Sequence, residues 1–332
     1  MLSWAGIILA GLLNGSFAVP MKTARAWKFV HIWMVFSLLG MAVIPWVGVA
    51  LAVPQAGRIL GAVPGRGWMG LIALGLLWGV ASLLYGVAVD LLGIALGFSI
   101  QLGLSIVLGS LFPLVWARAV SLRTTDDALY FTGLAGMVGG VVLCSQAGGA
   151  KSAAPGARGS QFRKGLIIAI LGGIGAPLLN VGIHYGISLL RAAGQIPLAS
   201  SFSVNTYVAW AVFLSAAAVT QAGYCFGRMA MEHGMGVFRS AGTKHDAAWV
   251  AVMSVVWAAS VGIYGMSAVG LGRLGTSIGW PVFVGLIVLT SNAWGVFLGE
   301  WREAAKAAFY RMLAGSAVLV LAAFLIGQGK RG

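Results

Sequence analysis

Charge is what this chain has least of. Only 8% of its 332 residues are Asp, Glu, Lys or Arg, where a soluble domain carries about a quarter. Acids are the scarcest, seven against 21 Lys and Arg. No pair of carboxylates lies deep in an apolar stretch, and neither an HExxH motif nor a nucleophile elbow occurs. An intramembrane protease or lipid-modifying enzyme therefore has little to work with, and no catalytic residue is assigned. The two cysteines, Cys144 and Cys225, fall inside apolar runs and read as packing residues rather than a disulfide or metal pair. No metal and no cofactor are expected. A net charge of +14 would suggest nucleic acid in a soluble protein. Here the basic residues sit at the ends of apolar runs, which excludes that partner. No basic stretch precedes the first apolar run, so a cleaved leader is not expected.

What the chain has instead is length without charge. Ten runs contain no Asp, Glu, Lys or Arg: Ser3–Met21, Phe29–Val53, Trp68–Val89, Leu91–Ala117, Ala128–Ala147, Gly165–Leu190, Ser201–Gly227, Ala247–Leu271, Leu274–Gly299 and Met312–Gln328. About 20 residues at 1.5 Å rise cross the ~30 Å hydrocarbon core as a helix, and a helix satisfies its own backbone where lipid cannot. The reading is an all-α polytopic protein of ten membrane spans, with membrane lipid as its main solvent. Gly, at 50 copies, recurs at a spacing of four in Gly11/Gly15, Gly75/Gly79, Gly93/Gly97, Gly182/Gly186, Gly223/Gly227 and Gly295/Gly299. Small residues so placed let helix backbones approach closely.

Basic residues collect unevenly across the loops. Thirteen fall on one side (Lys22, Arg25 and Lys28 among them) and eight on the other. The richer side is expected to be cytoplasmic, which puts both termini outside. Gly148–Lys164, GGAKSAAPGARGSQFRK, reads as a basic linker at 148–164 between a first five-helix unit, 1–147, and a second, 165–332. The halves echo each other. WGVASLLYG at Trp78–Gly86 matches WAASVGIYG at Trp257–Gly265, LGFSI at Leu96–Ile100 matches LGTSI at Leu274–Ile278, and LAG recurs at Leu134 and Leu313. The offset is 178 or 179 each time. Five helices per half turn the second copy upside down, an inverted-topology repeat of the kind secondary transporters use.

Several stretches carry a family likeness: NGSFAVPMK in span one, IPW at Ile44–Trp46, WGVASLLYGVAVDLLGIALGFSIQLGLSIVLGSLFPL at Trp78–Leu114, FRKGL at Phe162–Leu166, GYCFGRM at Gly223–Met229 and GEW at Gly299–Trp301. Together they resemble the L-rhamnose–proton symporter family of the drug/metabolite transporter superfamily. The resemblance implies the superfamily's five-plus-five fold and uptake of L-rhamnose or a related 6-deoxyhexose, with a proton, across the bacterial inner membrane. An uncoupled sugar facilitator and a metabolite exporter of the same superfamily are the alternatives.

A neutral sugar needs amides and hydroxyls to replace water, and an aromatic face for its C–H surface. Asn14 in span one, Gln101 one turn from Ser105 in span four, and Asn180 with His184 at i and i+4 in span six supply the polar groups. Each also reads as a bond between helices. Pro177, one turn before Asn180, is expected to loosen the helix there. Trp78 and Trp257, each seven residues before a tyrosine (Tyr85 and Tyr264), and Trp280 beside Pro281 are the aromatic candidates. Proton coupling would fall to His184, the one group here with a reference pKa near 6.5, or to Asp90 at the end of span three. Glu300 reads as an interfacial ion-pair partner, and Asn205 with Tyr207 as interfacial.

Overall fold

The structure, a computed structural model, describes residues 2–92, 94–116, 124–152, 160–197, 203–232, 234–272, 275–302 and 304–329, with the backbone alone at 85, 86, 89, 90, 94–96, 98, 99, 151, 152, 160 and 161. Of the residues singled out above, the side chains of Tyr85 and Asp90 lie outside the described residues, as does Gly93. Every regular element among the described residues is helical. Nine stretches of them are long and apolar enough to cross a membrane. A further helix, Ile94–Trp116, has its apolar part at Ile100–Trp116.

In chain order the helices are α1 (Leu2–Ser16), α2 (Phe29–Phe36), α3 (Ile44–Ala52), the short α4 (Ala56–Ala62), α5 (Gly65–Leu92), α6 (Ile94–Trp116), α7 (Thr125–Ser152), α8 (Ser160–Gly175), α9 (Leu178–Ala192), α10 (Thr206–Met231), α11 (Thr243–Val269), α12 (Gly275–Phe297) and α13 (Lys306–Gln328). Two crossings are not simple helices. The second runs as α2, a π-helical turn at Ser37–Val43, then α3. Pro45 has no N–H for the Met41 carbonyl, and the wider turn accommodates the mismatch. The apolar stretch Phe162–Ala192 is divided into α8 and α9 at Ala176–Pro177. Pro177 leaves the Gly173 carbonyl without its helical donor, while Ala176 N–H still reaches Gly172 O at 2.7 Å. The loosening expected at this proline is a full break. α7 runs on to Ser152 and α8 begins at Ser160, so helix extends into both ends of the 148–164 segment.

Without a hydrophobic driving force between helices in lipid, close backbone contact and buried hydrogen bonds hold the bundle. α7 packs along α13; α5 lies against α8 and α10; α1 lies against α11 and α12; α6 touches α7, α8 and α12. The paired glycines explain several of these contacts. A Cβ at Gly15 would sit 2.8 Å from the Ile287 carbonyl oxygen, and one at Gly79 2.9 Å from that of Ala217. Gly182 and Gly186 meet Phe213 and Ala209 in the same way. Gly223 and Gly227 face open space, and Gly299 sits past the end of α12 with φ +76°, so these are not helix-contact glycines.

Candidate functional site

α11 crosses the whole bundle, and its inward residues set out the interior in layers. At its first turn the buried Asp246 carboxylate accepts the backbone N–H groups of Arg25, Ala26 and Trp27 at 2.8–2.9 Å. Trp27 Nε1 donates to Thr243 Oγ1 at 3.2 Å. One carboxylate thus ties the loop after span one to the start of α11. Nearby, Lys22 pairs with Glu300, as expected for an interfacial acid.

At mid-helix stands Trp257. It stacks on Trp78 of α5 with centroids 6.3 Å apart and planes 19° apart. Phe36 meets Trp257 edge-on at 5.3 Å, and Phe213 packs on Trp78 at 5.9 Å. The two repeat-related tryptophans, one from each half of the sequence, therefore touch. Phe36 and Phe213 are additions that periodicity alone did not mark out. One turn further along α11, Ser260 Oγ accepts from Asn14 Nδ2 at 2.8 Å, all of it buried. Asn14 therefore sits beside the aromatic pair.

The next layer centres on Asn180. Its Nδ2 donates to the carbonyls of Gly109 at 2.8 Å and Thr276 at 3.0 Å, and its Oδ1 accepts from Tyr264 Oη at 2.7 Å. The break at Pro177 places Asn180 in the first turn of α9. His184, one turn on and partly buried, has Nδ1 2.9 Å from Thr276 Oγ1. Trp280 Nε1 donates to the Ser105 carbonyl at 2.9 Å, and its ring packs on Tyr264 and Phe283. At the far end Arg191 Nη2 donates to the Val269 carbonyl at 3.3 Å. Asn205 Nδ2 donates to the Gln195 carbonyl at 2.6 Å.

The candidates thus fall into two groups along α11. Asn14, Trp78 and Trp257 meet at mid-depth; Asn180, His184 and Trp280 meet between there and the Val269 end. Gln101 joins neither. It packs where α6 crosses Gly172 and Gly173 of α8, 1% exposed, and both its amide atoms are buried without a hydrogen-bond partner. Leaving such a group unpaired costs about 1–3 kcal/mol, so a partner in another state of the molecule would stabilise that state. Among the buried polar residues that the sequence did not mark are Asp246 and the fully buried Gln221 of α10. Asp246 sits among the polar residues Thr243–His245 at the end of an apolar run and Gln221 beside Thr220, so neither stands out in the sequence.

Comparison with known proteins agrees with this architecture. The family model described as L-rhamnose-proton symport protein (RhaT) matches residues 4–331. Proteins named L-rhamnose-proton symporter from Yersinia pestis (strain Pestoides F) and Yersinia pseudotuberculosis (serotype O:3, strain YPIII) are each 24% identical over 326 residues, covering 94% of this chain and 93% of theirs. These relatives are named as transporters, not enzymes. A solved crystal structure of another protein matches with a TM-score of 0.57 at 17% identity over 97% of both chains, a likeness of fold alone. With a family match that runs almost from end to end, this multi-span membrane protein belongs to the L-rhamnose-proton symport protein (RhaT) family.

Proposed function

We propose that this chain takes up L-rhamnose, or a closely related 6-deoxyhexose or monosaccharide, together with a proton, by alternating access across the bacterial inner membrane. The relatives' shared name over nearly the full length supports the substrate and the ion. The observation that carries the site is the buried Trp78–Trp257 stack, one ring from each half, with the Asn14–Ser260 pair one turn away. Aromatic faces cover a sugar's C–H surface, and the amide answers a hydroxyl. The rings stack on each other here, so the sugar takes the place of that contact. Gln101, Asn180, His184 and Trp280 complete the proposed substrate path.

The same proposal includes ten spans in the five-plus-five inverted repeat of the drug/metabolite transporter superfamily, divided at 1–147, 148–164 and 165–332, with both termini outside. Reciprocal packing supports it. Span three (α5) lies on span six (α8), as span eight (α11) lies on span one (α1). Span four (α6) also lies on span six, as span nine (α12) lies on span one. Two-fold related halves must pack in such exchanged pairs, and alternating access follows if the halves trade shapes.

Coupling falls to His184, with Asp90 the alternative. Imidazole is charged below its reference pKa of about 6.5 and neutral above it. Symport driven through it therefore strengthens as the external side is acidified. In proteoliposomes, an inward proton gradient is expected to accumulate L-rhamnose above equilibrium, and His184→Gln to reduce this to equilibration with a flattened pH profile. Wild-type protein that only equilibrates the sugar under any gradient would make it a facilitator. Accumulation by His184→Gln would hand the role to Asp90.

A further inference from the structure

Gln221 is 0% exposed, about 15 Å in from the Met231 end of α10 at 1.5 Å per residue, which is half the ~30 Å hydrocarbon core. Its Oε1 accepts from Trp33 Nε1 at 2.8 Å and Ser37 Oγ at 3.3 Å, and its Nε2 donates to Ser82 Oγ at 2.7 Å. Three of these four side chains follow an aromatic ring of the mid-depth cluster on the same helix, and Trp33 lies one turn before Phe36. Ser82 is one turn beyond Trp78 on α5, Gln221 two turns beyond Phe213 on α10, and Ser37 is next to Phe36. The interior therefore presents two adjoining layers, one aromatic and one of amide, hydroxyl and indole N–H groups.

A 6-deoxyhexose has the same division. Its C5 methyl and C–H face are apolar, and its ring carries vicinal hydroxyls that each donate and accept. A planar carboxamide offers one donor and one acceptor edge, which suits two neighbouring hydroxyls. We propose that Gln221 is a sugar-contacting, specificity-determining residue: with Ser82 it reads the ring hydroxyls, while the methyl end lies against the Trp78–Trp257 layer. This rests on the transport reading above. On binding, the Gln221 bonds to Trp33, Ser37 or Ser82 are exchanged for bonds to sugar hydroxyls, which offsets the cost of opening the network. The π-helical turn at Ser37–Val43, a local irregularity of a kind common at functional sites, begins at the very residue that must part from Gln221.

The test is the dissociation constant of the purified full-length protein for three sugars, alongside ligand-free thermal unfolding. L-Mannose differs from L-rhamnose only by a hydroxyl at C6; L-fucose is also a 6-deoxyhexose but differs in ring-hydroxyl configuration. Gln221→Met, which removes the amide and keeps most of the volume, is expected to weaken L-rhamnose binding tenfold or more. It should also shrink the preference for L-rhamnose over L-fucose, leaving the L-rhamnose to L-mannose ratio unchanged. Ser82→Ala should shift the same ratio in the same direction and by less, and it decides the matter if Gln221→Met fails to fold. Wild-type ratios in the folded variants, whatever their melting temperatures, would reduce Gln221 to a tie between helices. Wild-type protein that binds none of the three sugars would instead overturn the transport reading itself.

Discussion

Asn14 and Asn180 look alike in the sequence, each a lone amide in an uncharged run, yet their surroundings give them different work. Asn180 spends both amide protons and its oxygen on Gly109, Thr276 and Tyr264, binding α9 to α6, α12 and α11. Asn14 makes one bond, to Ser260, one turn from the aromatic stack. Asn180→Ala would orphan three buried partners at about 1–3 kcal/mol each. Its expected effect falls mainly on stability, a clear fall in melting temperature, with a smaller loss of sugar affinity in whatever protein folds. Asn14→Ala is expected to do the reverse, weakening sugar binding about ten- to hundredfold with a small thermal shift. Melting curves and titrations on the same preparations separate the two, and normal affinity in Asn14→Ala would remove that residue from the site. The sequence marked both asparagines because amides in lipid must find partners. It could not say how many partners each finds, since those come from helices more than 70 residues away in the chain. Asp246 and Gln221 went unmarked for the same reason: what makes them informative is three loop N–H groups in one case and three other side chains in the other.

At the scale of an element, the spans were legible because a charge-free run of about 20 residues has few other fates. Their interruptions were only half legible. Pro177 announced a weakness in span six, but whether a proline kinks or cuts a helix depends on what receives the freed groups. Here the cut ends α8 at Gly175 and delivers Asn180 and His184 on a separate half-helix. Pro45 likewise marks span two, but nothing in the sequence says that its missing N–H is absorbed by a π turn at Ser37–Val43. If the α8–α9 break is a joint of the transport cycle, mending it should separate stability from turnover. Pro177→Ala restores an N–H for the Gly173 carbonyl and removes a residue that costs a helix interior about 3 kcal/mol. The expected protein melts at or above the wild-type temperature and transports more slowly, read as initial uptake into proteoliposomes. Unchanged uptake in a protein of raised stability would show the joint to be static.

At the scale of the whole molecule, orientation rests on 13 basic residues against eight in the loops, a bias that biogenesis reads and folding energetics do not. Packing speaks to a separate part of the same proposal. The exchanged contacts of α5–α8 with α11–α1, and the α7–α13 pairing of the last spans of the two halves, require the halves to enter the membrane from opposite faces if they are related by a two-fold axis in its plane. The two arguments are independent and meet at the number of crossings between Ser152 and Gln195. In the proposed topology one crossing, the α8–α9 pair, lies between them, which puts them on opposite sides. Single cysteines placed there should label from opposite faces of sealed, oriented vesicles, Ser152→Cys from the cytoplasmic face and Gln195→Cys from the outside. The native Cys144 and Cys225 are buried and should stay silent to a membrane-impermeant reagent. Labelling of both positions from one side would mean that α8 and α9 form a re-entrant hairpin instead of a span. The second half would then run parallel to the first, and alternating access by exchange of inverted halves could not operate.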